Sequence, residues 1–247
     1  MIKIKPSEKS HKSRNQPKLI TFLVANAIAI TVLFIGIGTT VQILHDFGKG
    51  ETAGLLRLIG LPAIASLAVG VLSWVVPTTW KETMVFWRSR ERRLPSSEAF
   101  TKIAPADLRI DMAELSRRLG KLPTDYQKQS ALWYSTYRKH SKDTAVNDAN
   151  AAYLLYREMT AITPILLIAV PIIGTAANPS GARIALGILW VIFEYVLVML
   201  AARHAGTRLV ANVLAIEASS KEGPTKAPAK RAPRKKPDPK NASASET

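Results

Sequence analysis

The sequence contains no cysteine among its 247 residues. The chain therefore offers no disulfide, no thiolate ligand for a metal ion and no cysteine nucleophile. Acidic residues are scarce, with 18 Asp and Glu against 34 Lys and Arg. Histidine occurs only four times, at widely separated positions, which argues against a metal site.

The common enzyme motifs are missing too. The chain has no HExxH, no GxGxxG, no P-loop and no GxSxG, and no paired nucleophile and base stands out. We therefore predict no catalytic residue, no metal ligand and no cofactor, and a protein that is not an enzyme.

Long apolar stretches, in contrast, are abundant. Four stretches are almost free of charge, at residues 19–44, 55–76, 161–177 and 184–202. A helix that crosses a bilayer needs about 20 such residues, so the third stretch lies at the short limit. The pattern predicts four transmembrane helices in two hairpins, and the second hairpin would turn at residues 178–181.

The basic residues predict an orientation. Six Lys and Arg lie in residues 1–18, fifteen in residues 77–160 and ten from residue 203 onward, but only three in the remaining loops and helix starts. Lys and Arg beside spans stay in the cytoplasm. We therefore expect a multi-pass protein of the plasma (inner) membrane whose N-terminus, middle segment and C-terminus are all cytoplasmic.

These patterns define an all-α membrane protein with a helical cytoplasmic insert between the second and third spans. The predicted units are a basic N-terminus, a first transmembrane hairpin, the insert, a second transmembrane hairpin and a disordered basic tail rich in Lys, Ala and Pro. In the same order, these units cover residues 1–18, 19–77, 78–160, 161–203 and 204–247.

Three helices are expected in the insert. Asp107 is the predicted N-cap of a helix that ends at Leu119, and Thr124 is the predicted cap of a second helix. A third helix should start near Asn147 and run into the third span. Beyond the fourth span, residues 207–216 could continue as a short helix.

A cluster of basic side chains follows the second span. It comprises Arg88, Arg90, Arg92 and Arg93, just after the aromatic residues Phe86 and Trp87. Such a cluster next to a span is typical of contact with anionic lipid headgroups. Nucleic acid is the competing ligand, since arginines also neutralise phosphates.

One carboxylate, Glu194, lies near the middle of the fourth span. An ionised side chain there is costly, so Glu194 should face the bundle interior. Its candidate partners at similar depth are Asn26, Thr31 and Ser66. Two interpretations follow: a hydrogen-bonded carboxylate that holds helices together, or an ion or proton site. Pro164 and Pro171 predict a kinked third span.

The leading functional hypothesis is a membrane-anchored interaction or signalling protein that binds a protein partner through the insert, around Trp133, Tyr134 and Tyr137. The alternative is an oligomeric pore or small transporter with Glu194 along the path. A third hypothesis is a membrane-tethered nucleic-acid binder that uses the basic tail. The sequence leaves self-association open.

Overall fold

The computed structural model describes residues 11–50, 70–71, 75–88, 92–177 and 179–220. Every regular element within these ranges is helical, and no strand occurs there. Ser66, Arg90, most of the apolar stretch 55–76 and the predicted tail beyond residue 220 lie outside the described residues. The helices are α1 (His11–Ile35), α2 (Ile37–Gly48), α3 (Thr78–Phe86), α4 (Met112–Leu119), α5 (Tyr126–His140), α6 (Thr144–Ala177) and α7 (Gly181–Ser219).

Three of these helices contain segments long and apolar enough to cross a membrane. The segments are Arg14–Ile35 in α1, Thr144–Gly174 in α6 and Gly181–Ser219 in α7. By length and composition, these segments favour a membrane protein. The predicted fourth span, residues 55–76, falls mostly outside the described residues.

The first predicted span, residues 19–44, differs from the helix boundaries in the structure, since it covers parts of both α1 and α2. The candidate span is Arg14–Ile35, and the helix breaks at Gly36, whose φ is +86°. Glycine adopts this left-handed φ without steric cost, so the chain changes direction there. The Arg183 side chain packs beside Gly36 and donates to the carbonyl oxygen of Phe34 at 2.8 Å. Apolar composition alone did not reveal this break.

Helix α6 continues through Pro164 and Pro171 without interruption. Proline has no N–H, so Pro164 leaves the carbonyl oxygen of Thr160 without its usual donor. The hydroxyl of Thr163 donates to that oxygen at 3.1 Å. A local side chain thus replaces the missing hydrogen bond, as membrane helices require.

The first of two cores lies between α1, α6 and α7, and we call it the bundle core. Its buried apolar members are Leu23, Ile30, Phe34, Ile162, Leu166, Val170 and Val191. Two glycines allow the close approach of helices: a Cβ on Gly187 would lie 3.1 Å from Val170, and one on Gly174 would lie 2.9 Å from Ile184.

A second core, the insert core, unites α3, the helical turns of residues 95–106, α4, α5 and the first half of α6 with the second half of α7. Val210, Val213 and Leu214 of α7 are among its most buried side chains. The sequence predicts that the second hairpin ends at residue 203 and the tail starts at residue 204, with residues 207–216 as a possible short helix. The structure instead continues α7 to Ser219 and buries it at the centre of this core.

The predicted starts of the insert helices shift by a few residues. Asp107 does not cap α4; Asp111 does, accepting from Ala113 N at 2.8 Å. Likewise Asp125, rather than Thr124, caps α5 by accepting from Lys128 N at 3.0 Å. In each case an aspartate nearer the helix is the better cap, because its short carboxylate reaches the free N–H groups of the first turn. Helix α6 starts at Thr144, and it runs on into the apolar segment as predicted.

Candidate functional site

Glu194 and Asn26 form a direct pair between α7 and α1. Asn26 Nδ2 donates to Glu194 Oε1 at 2.8 Å, and Trp190 Nε1 donates to Asn26 Oδ1 at 3.4 Å. Asn26 is almost fully buried, and the second oxygen of Glu194, Oε2, is buried without a hydrogen-bond partner in the described part of the chain. The structure thus brings Glu194 together with one of its three candidate partners. Thr31 instead donates to the carbonyl oxygen of Ala27 at 2.7 Å, and Ser66 lies outside the described residues.

The predicted arginine cluster is largely committed to protein contacts. Arg88 donates to Glu98 at 2.9 Å, the Arg92 guanidinium lies 4.2 Å from the centre of the Tyr126 ring, and Arg93 lies 3.0 Å from Glu82. Arg90 lies outside the described residues. The other three arginines therefore contact side chains of the insert as well as carrying positive charge.

Glu98 organises the basic residues around it. Its side chain is 6% exposed, and it accepts from Arg88 at 2.9 Å and from Lys102 at 2.8 Å. Burial opposes the charged form, but the hydrogen bond from Lys102 and the charge of Arg88 outweigh it, and together they hold the pKa of Glu98 below its usual value. Glu98 is therefore an ionised carboxylate that fixes two cations.

The predicted aromatic trio lies on α5 and lines a small pocket. Tyr137 stacks on Trp133 with ring centres 5.4 Å apart and on Tyr134 with ring centres 6.0 Å apart. Trp133 is only 9% exposed and belongs to the insert core, whereas Tyr134 is 55% exposed. The pocket has a volume of about 200 Å³, and Leu94, Tyr153 and Leu209 complete its apolar wall. Only Tyr134 of the three is freely reachable at the surface.

Two charged contacts that the sequence did not suggest hold the insert core to the long helices. Lys81 of α3, 6% exposed, forms an ion pair with Glu158 of α6. At the far end of α7, Glu217 is fully buried and lies 2.5 Å from His140 Nε2 and 3.3 Å from Lys139 Nζ of α5. Helical periodicity could not find either contact, because each joins residues more than 70 positions apart.

Within the described ranges, no group of three or more His, Cys, Asp or Glu side chains has a geometry that could hold a metal ion. Comparison with protein-family models, with curated proteins and with solved structures finds no match to this chain.

Proposed function

We propose that the chain is a four-span protein of the inner membrane that holds a helical interaction module at the cytoplasmic surface. The observation that carries the proposal is the length and continuity of two helices. At 1.5 Å per residue, the 39 residues of α7 and the 34 residues of α6 extend about 58 Å and 51 Å, against a hydrocarbon core of about 30 Å. About half of each helix therefore lies outside the bilayer, where it builds the insert core.

The packing of α1 supports the proposed four spans. Near its N-terminal end, Asn15 donates to the carbonyl oxygen of Ala151 at 2.8 Å, and so lies beside the insert end of α6. At its other end, Phe34 accepts from Arg183 at the start of α7. At residue 81 the chain is again at the insert end of the bundle, because Lys81 pairs with Glu158 of α6. The apolar stretch 55–76 is long enough to make this return crossing.

The orientation follows from charge. The end of the bundle that holds the insert core carries most of the Lys and Arg residues, which remain on the cytoplasmic side of the inner membrane. Topology reporters fused after residue 50, after residue 120 and at the C-terminus test this. The reporter at 50 should be active outside the cytoplasm and the other two inside. External activity at 120 or at the C-terminus would overturn the topology.

We further propose that the aromatic pocket receives an apolar side chain of a partner protein. Its volume of about 200 Å³ suits one large side chain. Exposed Tyr134 stands beside it, with the Arg138 guanidinium 5.5 Å from the Tyr134 ring centre. Tyrosine and arginine next to a small apolar pocket are typical of binding hot spots.

The partner site is tested by affinity purification from native membranes. Trp133 is buried, so its replacement would disturb folding; Tyr134→Ala is the informative variant, and Gln127→Ala at an exposed position of the same helix is its control. We expect Tyr134→Ala to lose a defined protein that both wild type and Gln127→Ala retain. The same proteins in the same amounts from all three samples would refute this assignment.

The alternative function, an oligomeric pore or small transporter, depends on Glu194. The Asn26 contact and the buried Oε2 atom favour a helix-joining role for this carboxylate, because a transport path needs an accessible polar site. We therefore rank the pore second. Ion flux through liposomes that contain the purified protein, abolished by Glu194→Gln, would reverse this order.

A further inference from the structure

A second, larger cavity lies between α3, the helical turns of residues 95–106 and α7. It is an open cleft of about 690 Å³. Four cationic, two anionic and several apolar side chains line it, and we call it the cationic cleft. The charged lining residues are Arg88, Lys102, Arg109, Arg203, Glu98 and Asp107.

Both carboxylates in the cationic cleft are already neutralised by neighbours. Glu98 is held by Arg88 and Lys102, as described above, and Asp107 forms a two-pronged ion pair with Arg109 through contacts of 2.9 and 2.6 Å. Four cations and two anions leave the cleft with a net charge of +2. It thus presents unneutralised positive charge in a concave site, which favours an anionic ligand.

Arg203 carries part of this excess charge. Its Nε donates to the carbonyl oxygen of Val85 at 2.6 Å, and its guanidinium lies 5.9 Å from the centre of the Trp87 ring. Neither contact supplies a negative charge, and no described carboxylate forms an ion pair with it. Because Nε of Arg203 is held by Val85, the two terminal nitrogens of the guanidinium group are available to a ligand. The spacing of these nitrogens matches two phosphate oxygens.

The position of the cleft indicates where its ligand comes from. Arg203 directly follows the apolar stretch 184–202 of α7. Beside it lies exposed Trp87, an aromatic side chain of the kind that occurs at membrane boundaries, and its indole N–H donates to the hydroxyl of Tyr195 at 2.8 Å. Apolar residues, among them Phe86, Ile103 and the fully exposed Leu108, line the rest of the cleft.

We propose that the cationic cleft binds the phosphate group of an anionic phospholipid, with Arg203 and Lys102 as phosphate ligands. A phosphate satisfies the excess charge, and an attached glycerol or acyl carbon covers the apolar lining. Phosphate is the shared chemistry of a lipid headgroup and of a soluble phosphate. The lipid source rests on the proposed membrane topology, whereas the phosphate site does not.

Binding is measured by microscale thermophoresis on the full chain in non-ionic detergent. The result of this measurement does not depend on the proposed membrane topology. The probes are dioctanoyl phosphatidic acid, dioctanoyl phosphatidylcholine and inorganic phosphate. Lys102→Gln removes one charge at an exposed position, and Thr207→Trp fills the cleft without changing its charge. Lys142→Gln is the matched control, because Lys142 is exposed and is not part of the cleft lining.

We expect phosphatidic acid to bind the wild type and Lys142→Gln equally. Lys102→Gln should weaken binding by about tenfold, the value of one charge-assisted hydrogen bond, and Thr207→Trp should remove it. Phosphatidylcholine should bind weakly. If inorganic phosphate binds as tightly as the lipid, the phosphate site stands and its ligand is soluble. Equal affinity in all variants, or equal loss in Lys142→Gln and Lys102→Gln, would overturn the proposal.

Discussion

Asn26 and Glu194 are 168 positions apart in the sequence, yet Asn26 Nδ2 lies 2.8 Å from Glu194 Oε1. The contact joins α1 to the apolar first half of α7. In an apolar surrounding, a polar side chain with a partner costs far less than one without. This pair therefore specifies how the two helices align.

The first prediction concerns that pair. A double-mutant cycle with Asn26→Leu and Glu194→Leu should give a coupling energy of about 1 kcal/mol, the range measured for hydrogen bonds between membrane helices. Glu194→Gln should keep most of the stability, since its side-chain oxygen still accepts. Unfolding in mixed detergent micelles measures the stability of the wild type and of all four variants. A coupling energy of zero would mean that the contact does not hold the helices together.

The second prediction concerns Gly206, where α7 meets three rings. A Cβ there would lie 3.2 Å from Phe86 and 3.3 Å from both Pro95 and Tyr153. Gly206→Ala should destabilise the protein by about 1–3 kcal/mol, as overpacking does. Gly38→Ala is the control, because a Cβ at Gly38 meets no atom within 4 Å and alanine favours a helix. The control should match or exceed wild type in thermal denaturation followed by circular dichroism.

The third prediction concerns pH. The folded state lowers the pKa of Glu98, so it binds fewer protons at this site than the unfolded chain does. The site therefore stabilises the fold fully above about pH 4.5, the ordinary glutamate value, and this contribution is lost as pH falls through the lower folded pKa. Melting temperatures from pH 7 to pH 3 should fall less steeply for Glu98→Gln than for wild type. Parallel curves would contradict the assignment.

The fourth prediction concerns Glu217. Its carboxylate is buried against His140 and Lys139, and hydrogen bonds to charged groups contribute about 1.5–3 kcal/mol. Glu217→Gln keeps the shape but removes the charge, so we expect a loss of about 2 kcal/mol in unfolding free energy. Asp148→Asn is the control: Asp148 and its partner Arg14 are both exposed, and such pairs contribute only about 0–1 kcal/mol. Equal losses of unfolding free energy in both variants would show that Glu217 contributes no more to stability than an exposed ion pair does.

Much of the helical framework could be predicted from the sequence. The helical class and the apolar runs in α1, α6 and α7 follow from composition and length, because a bilayer imposes a long apolar run on any helix that crosses it. Asn26 was among the three candidate partners of Glu194, since depth in a span can be counted along the chain, but the choice of Asn26 over Thr31 depends on helix packing. The break at Gly36 did not, because a glycine in an apolar helix is equally compatible with a straight one.

The sequence by itself determined that this protein is built of helices, that several of them are apolar enough for a membrane, and where positive charge accumulates. These properties depend on residues that are near one another along the chain. Tertiary structure alone decided that the second half of α7 is the centre of the insert core, that Glu217 faces His140, and that Arg203, Lys102 and Glu98 border one cleft. The reason is physical: such groupings depend on which helix faces pack together, and the periodicity of one helix does not specify its neighbour.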